Sequence, residues 1–291
     1  MLDFIVNPKA GKIKGFKYRR TVKKIKARLD ALNLEYAFHE TDHKNHASEY
    51  TKQLIDNGAT DIIVIGGDGT LHEVLNGFHS FDKCSLGLIP CGTGNDFAGV
   101  CGIPKNTDKA LDLILNGTPK YTDYMQMPSV RGMNIIGMGI DVSVLERYEK
   151  LKRKTNFGYT LCLILALFKF NYVEFDAELN GETTHYESFI AGAANGTRFG
   201  GGIAICPNAK IDDGLINFVA VNKMKKIKIP GAFMKLKAGK VLTLPGAVSI
   251  PAERIKVTGG ESSTVQVDGE LYKNVEFDVQ VVHNQLKMYR A

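Results

Sequence analysis

Twice in this chain an apolar strand runs straight into glycines and then into a helix, and that repetition narrows the folds open to it. Residues 61–65 (DIIVI) lead into Gly66-Gly67-Asp68-Gly69-Thr70 and a helix predicted over 71–78. One strand later, residues 86–89 (LGLI) lead into Pro90-Cys91-Gly92-Thr93-Gly94-Asn95-Asp96-Phe97-Ala98. Glycine lets a backbone turn tightly and approach a ligand with no Cβ in the way. The helix start that follows offers free N–H groups and the positive end of a dipole, which suits phosphate. Thr70 with Glu73 has the spacing of a capping box. One such turn is ordinary in α/β proteins. Two from neighbouring strands share the crevice at the carboxyl edge of a sheet and predict a single nucleotide site.

The surrounding pattern agrees. Strand-like runs at 2–6, 34–38, 61–65 and 86–89 alternate with helical spacing at 16–32, 47–57, 71–78 and 108–115, which predicts a parallel sheet covered on both faces. Beyond about residue 120 strands crowd together, at 134–137, 173–179, 188–194, 217–221, 254–258, 264–267 and 275–281. Turn pairs at Asn180-Gly181, Asp213-Gly214 and Asp268-Gly269 separate several of them. Helices are expected over 144–168 and 223–237. The chain of 291 residues therefore reads as two domains, an α/β nucleotide-binding domain over 1–125 and a β-rich domain over 126–291, whose C-terminal end can return to the first.

Composition removes other classes. Hydrophobic residues at 44% and charged residues at 23% are globular values, which argues against disorder and fibres. The five cysteines (Cys84, Cys91, Cys101, Cys162, Cys206) are odd in number and form no CxxC pair, which fits a reducing compartment and no thiolate zinc site. The histidines show no metal spacing. No signal peptide is visible, and the longest uncharged apolar run, 155–168, is too short to span a bilayer. A cytoplasmic protein is expected. Residues 7–12 (NPKAGK) do not make a Walker loop, and neither glycine loop satisfies GxGxxG. The net charge of +6 favours anionic partners, but no recognisable nucleic-acid motif accompanies it, so nucleic acid is not expected as a partner.

These residues together carry a resemblance. GGDGT at 66–70 and PCGTGNDFA at 90–98 resemble the diacylglycerol kinase catalytic superfamily. NPKAGK at 7–12, Asn195-Gly196 with FGGG at 199–202, PNAKIDDGL at 207–215 and Asp268-Gly269-Glu270 resemble that family's further motifs, in the same order along the chain. The chain looks most like the soluble bacterial lipid kinases. The resemblance implies an N-terminal α/β domain akin to NAD kinases and phosphofructokinases, and a C-terminal β-sandwich-like domain. It implies ATP and Mg2+ as cofactors and a lipid substrate.

It also implies roles. Asn7, Lys12, Thr41, Gly66, Gly67, Asp68, Gly69, Thr70, Leu71, His72, Thr93, Gly94 and Asn95 would surround the nucleotide, with Asp68 placing ATP and its magnesium. Lys9 and Lys12 are alternatives for neutralising phosphate. Phosphoryl transfer needs positioning and charge stabilisation more than a protein nucleophile. Asp268 or Glu270 would accept the proton of the lipid hydroxyl. A second, structural magnesium would be held by Asp213 and the main-chain carbonyls of Lys210 and Leu215, with Asp123 in the same network, an all-oxygen set that suits a hard cation.

A lipid kinase meets its substrate in a membrane. Residues 12–28 hold nine basic residues and no acid, and residues 223–240 hold seven lysines and no acid among Ile, Phe, Met and Leu. Such basic amphipathic segments suit peripheral contact with an anionic membrane face. The run 159–168 reads as a core helix or as the lining of an acyl-chain groove. The favoured activity is phosphorylation of diacylglycerol. Other lipid alcohols, NAD as acceptor, and a catalytically silent binding protein stay open, as does the oligomeric state, a homodimer included.

Overall fold

A computed structural model describes residues 1–11, 15–151, 158, 161–162, 165–166, 172–260 and 264–291. The chain divides into two compact units, Met1–Thr122 with His283–Ala291, and Asp123–Val282.

The first unit is built on a parallel sheet of β1 (Leu2–Val6), β2 (Tyr36–Glu40), β3 (Asp61–Gly66) and β4 (Ser85–Pro90) in the order β2-β1-β3-β4. The inner strand β3 and its neighbour β4 are apolar almost throughout because both faces are covered, whereas the edge strand β2 is only half-buried. Phe4, Ile5, Ile62 to Ile65, Leu86 and Ile89 are fully or almost fully buried. Helices α1 (Phe16–Ala31), α2 (His46–Asp56), α3 (Asp68–Gly77), α4 (Asp96–Val100) and α5 (Thr107–Asn116) cover the faces. Asn106 caps α5 by accepting from Asp108 N and Lys109 N at 3.0 and 3.2 Å. From β1 the chain first crosses to β2 and then returns past β1 to β3. The switch point therefore lies between β1 and β3, where α/β sheets bind ligands.

The end of the chain belongs to this unit. Lys287 and Met288 pair in parallel with Ser85 and Leu86. Tyr289 donates its hydroxyl to Asp61 at 2.6 Å, and Arg290 Nε donates to the Thr122 hydroxyl at 3.0 Å.

The second unit begins on β5 (Lys120–Gln126), along which the chain leaves the first unit, and continues through β6 (Arg131–Gly132), β7 (Ile135–Gly139), β8 (Val173–Leu179), β9 (Glu182–Ala194) and β10 (Ile216–Asn222). It then runs through β11 (Ala247–Ala252), β12 (Arg254–Thr258), β13 (Val265–Val267), β14 (Glu270–Tyr272) and the start of β15 (Phe277–Met288). The long β9 turns from one layer into another. Its first half pairs with β8, and its second half pairs with β7 and β10. The core between layers collects Phe175, Ala177, Ala193, Phe218, Ile255 and Val279. Alternate residues Val219 and Val221 point the other way, where Val144, Ala232 and Leu236 cover them.

Three expectations are corrected. The second strand runs over Tyr36–Glu40 rather than 34–38, because Asn33 takes a left-handed turn (φ 51°) that leaves Leu34 outside it. The helix expected over 144–168 starts earlier, at Ile140, and breaks after Glu149; residues 158, 161–162 and 165–166 are helical again, and the rest of 152–171 lies outside the described residues. The segment after residue 222 becomes helical only at 226, as a 3-10 turn over Lys226–Lys228 and then the helix Ile229–Lys237, with Pro230 in its first turn, where a missing N–H costs nothing. Among the described residues, no helix is long and apolar enough to cross a membrane.

Candidate active site

In the first unit four loops leave the carboxyl edge of the sheet, after Val6, Glu40, Gly66 and Pro90. Glycines let three of them interlock. A Cβ on Gly11 would lie 2.7 Å from the Gly92 carbonyl carbon. A Cβ on Gly92 would lie 2.5 Å from the Gly67 Cα, and one on Gly67 would lie 2.8 Å from the Gly92 Cα. These glycines let the loops pack directly on one another.

Polar side chains fix the interlock. Asn95, in the left-handed region at φ 53°, accepts from Gly92 N at 2.8 Å and donates to Gly92 O at 2.9 Å. Asp68 accepts from Asp96 N at 3.3 Å and Phe97 N at 3.2 Å, so the second residue of one glycine loop's GDG caps the helix that follows the other. Asn7 donates to the Thr70 hydroxyl at 3.2 Å and accepts from Lys9 N at 2.9 Å. Thr41 is buried, and its N–H donates to Val6 O at 2.8 Å. Lys9 reaches the Asp42 carbonyl at 3.0 Å, and Lys12 lies outside the described residues.

Helix α3 begins at Asp68 with Gly67 as N-cap and no side-chain cap on its first N–H groups. The capping box expected of Thr70 and Glu73 is not formed. Thr70 already lies inside the first turn, and Glu73 accepts instead from Ala47 N of α2 at 3.3 Å. Leu71 and His72 pack inside, whereas Gly69 and Thr93 are exposed and Gly67, Asp68 and Gly94 are half-buried. An uncapped helix start beside an accessible glycine rim is a donor set that fits a phosphate.

In the second unit Asp268-Gly269 forms a two-residue hairpin turn, with both φ positive (52° and 93°), between β13 and β14. The Asp268 carboxylate is held by three main-chain donors: Met133 N at 2.7 Å, Asn134 N at 2.9 Å and Ile135 N at 3.1 Å. Gly269 N donates to the buried Gln266 at 2.9 Å. Glu270 follows, half-buried, opposite Val267. Gln266 also bonds Asp141, whose carboxyl burial pushes up to about 7, against the pull of the Val142 N–H and of Gln266 itself.

The loop over 207–215 lies in the same unit. The fully buried Asp123 accepts from Gly214 N at 2.8 Å, and its own N–H donates to Ile211 O at 2.7 Å. Asp213 is exposed, and one of its oxygens accepts from Leu215 N at 3.2 Å. Asn195 donates to Asp123 O at 2.7 Å and Met133 O at 2.6 Å, which ties this loop to the strand behind Asp268. The buried Oδ1 atoms of Asn195 and Asn134 have no hydrogen-bond partner. The Asp213 carboxylate with the Lys210 and Leu215 carbonyls is an all-oxygen donor set, whose chemistry fits a hard cation. Sequence reasoning missed Asp96 and Asn134, because their partners, Asp68 and Arg198, lie far away along the chain.

The model of the diacylglycerol kinase catalytic domain matches residues 2–127, and that of the YegS C-terminal NAD kinase beta sandwich-like domain matches residues 134–290. The chain belongs to this lipid kinase family. It is a kinase of the two-domain type, an α/β domain followed by a β-sandwich domain. A probable lipid kinase YegS of Escherichia coli O1:K1 / APEC is 30% identical over 256 residues, covering 85% of this chain and 83% of the relative. A probable lipid kinase YegS-like protein of Enterobacter sp. (strain 638) is 29% identical over 255 residues, covering 84% and 83%. In fold, a diacylglycerol kinase from Bacillus anthracis str. Sterne superposes with a TM-score of 0.81 at 23% identity, over 100% of this chain and 96% of the other. An NAD kinase from Archaeoglobus fulgidus in complex with ATP superposes with a TM-score of 0.53 at 13% identity, over 99% and 92%.

Proposed function

We propose that this lipid kinase transfers the γ-phosphate of ATP to the hydroxyl of diacylglycerol, giving phosphatidic acid and ADP. The observation that carries the reading is the pair of differently held carboxylates in the DGE turn. Asp268 accepts from three N–H donors, which gives it the role of fixing the turn, and the proton-accepting role goes to Glu270, the other carboxylate of the motif. In the transfer, the acceptor oxygen forms the new P–O bond, its proton passes to Glu270, and the bond between the β,γ-bridging oxygen and the γ-phosphorus breaks.

The interlocked loops of the first unit present the N–H groups of Gly67, Asp68 and Gly69 to phosphate, with Asn7, Thr41, Thr93, Gly94 and Asn95 forming the surrounding wall. Asp68 would place a magnesium ion, which would supply neutralisation of phosphate charge. Asp213 and the carbonyls of Lys210 and Leu215 would hold a second ion, on the loop that Asp123 and Asn195 tie to the DGE turn. Lysines of 223–240 bring the enzyme to an anionic bilayer. Ile227 and Met234 in that stretch are 88% and 66% exposed, so apolar tips accompany the charges. The basic run in α1 is partly neutralised within its own unit, by Lys24–Asp108 and Arg28–Asp112 pairs.

The test is transfer of labelled γ-phosphate to diacylglycerol in mixed micelles with anionic lipid and magnesium. Labelled phosphatidic acid, lost in Glu270→Gln, is the expected result. Label appearing only on another lipid alcohol or on NAD would overturn the acceptor assignment.

A further inference from the structure

The loop after β2 carries a side-chain cluster that the kinase reaction does not use. Asn45, the N-cap of α2, is left-handed (φ 67°) and makes no side-chain cap, so the chain reverses sharply there. The reversal stacks the His43 and His46 rings at 4.2 Å and 22°. Both rings turn Nδ1 toward one carboxylate oxygen: Asp42 Oδ1 lies 2.5 Å from His43 Nδ1 and 2.8 Å from His46 Nδ1. Among the described residues, no other trio of His, Cys, Asp or Glu side chains brings its ligand atoms within 4.8 Å of one another.

Two further contacts resemble the support that metal ligands receive. His43 turns its other nitrogen, Nε2, to Glu49 at 3.3 Å, and a carboxylate on the distal nitrogen is how ligating histidines are oriented. The His46 ring stacks on Tyr50 at 4.2 Å and 17°, and its side chain is only 18% exposed. The ligands are thus placed before any ion arrives, which lowers the entropy cost of binding.

We propose that Asp42, His43 and His46 form a site for a transition-metal ion of the zinc class, with Glu49 orienting His43. Two imidazole nitrogens and one carboxylate oxygen suit zinc, nickel or copper, whereas magnesium and calcium take oxygen. All five cysteines are buried and do not compete. Ligand bonds of about 2.0–2.2 Å in tetrahedral geometry require ligand atoms about 3.3–3.5 Å apart. The ion therefore replaces protons while each contact widens by less than about 1 Å, through rotation of exposed side chains. The Lys9 ammonium on the Asp42 carbonyl weakens the site relative to a dedicated structural zinc site.

The test titrates Zn2+ into full-length, chelator-dialysed protein by calorimetry and follows Co2+ by its visible absorption. One ion per chain is expected. His43→Gln and His46→Gln each weaken binding at least about tenfold, and Glu49→Gln weakens it about tenfold. Binding also weakens below the histidine titration range, where protons displace the metal. His79→Gln, whose ring pairs with Asp56 at 3.0 Å, leaves the titration unchanged. Circular dichroism checks that each variant is folded. Zinc uptake that is absent, or unaltered in both His43→Gln and His46→Gln, overturns the proposal.

Discussion

Asn95 clasps the Gly92 peptide from both sides, accepting from its N–H at 2.8 Å and donating to its carbonyl at 2.9 Å. The pair is buried, so removing the amide leaves a donor and an acceptor unsatisfied together. Asn95→Ala is expected to cost about 2–4 kcal/mol, read from urea unfolding. Asn95→Asp keeps the acceptor but sets a carboxylate oxygen against the Gly92 carbonyl in a buried site, so it should destabilise as well. Urea midpoints unchanged in both variants would contradict the clasp.

The DGE turn separates chemistry from architecture. Glu270→Gln should lower kcat by about 100- to 10,000-fold at nearly unchanged melting temperature, since the residue acts on the acceptor proton. Asp268→Asn should lower stability by about 1–3 kcal/mol, because an amide cannot accept from all three N–H groups. Differential scanning calorimetry beside steady-state kinetics distinguishes them. A stable, slow Asp268→Asn would assign the base to Asp268 instead.

Asp141 makes a prediction about pH. Its oxygen lies 1.8 Å from where a Cβ of Gly137 would stand, so the site admits no larger neighbour and little water. Burial raises its folded pKa from 3.8 to about 7. Between those values the native state keeps a proton that the unfolded chain has released, so stability falls as pH rises. The loss totals about 4 kcal/mol and is complete above pH of about 7. Asp141→Asn should be less sensitive to pH than the wild type over this window, and more stable at pH of about 8. Parallel urea midpoints at the two ends of the window check it, and identical pH slopes would refute it.

Peripheral binding can be measured by liposome sedimentation. Lys225→Gln with Lys228→Gln should weaken binding to anionic vesicles by roughly 1 kcal/mol per charge, about fivefold each, and the difference should shrink in high salt. Ile227→Ser should weaken binding in a salt-independent way. Unaltered sedimentation at low salt would remove this surface from the account.

The sheet of the first unit was legible because its strands are buried on both faces, which leaves short continuous apolar runs such as 61–65 between turn residues. The DGE hairpin was legible from Asp-Gly, the pair that two positive φ angles demand. What could not be read depends on partners distant in sequence. Helix α4 begins where Asp68 caps it, and Asp68 stands 28 residues before Asp96. The grip on Asp268 comes from Met133, 135 residues earlier, and its neighbours. The end of the helix Ile140–Glu149 carries no Gly or Pro, so periodicity alone runs through it. The histidines show no metal spacing along the chain because the convergence of His43 and His46 depends on the left-handed Asn45.

The strand Phe277–Met288 sets an order of assembly. A nascent chain that has passed Asn116 already contains every glycine loop of the nucleotide unit. It still lacks the pairing partner of Ser85 and Leu86 and the hydroxyl that Tyr289 gives to Asp61. Those arrive only after the whole second unit, Asp123–Val282, has been made. Until then β4 stays an open strand edge, the kind of template that recruits other chains. The unit begun first is therefore finished last, and it is during synthesis, more than after it, that this protein is exposed to mispairing.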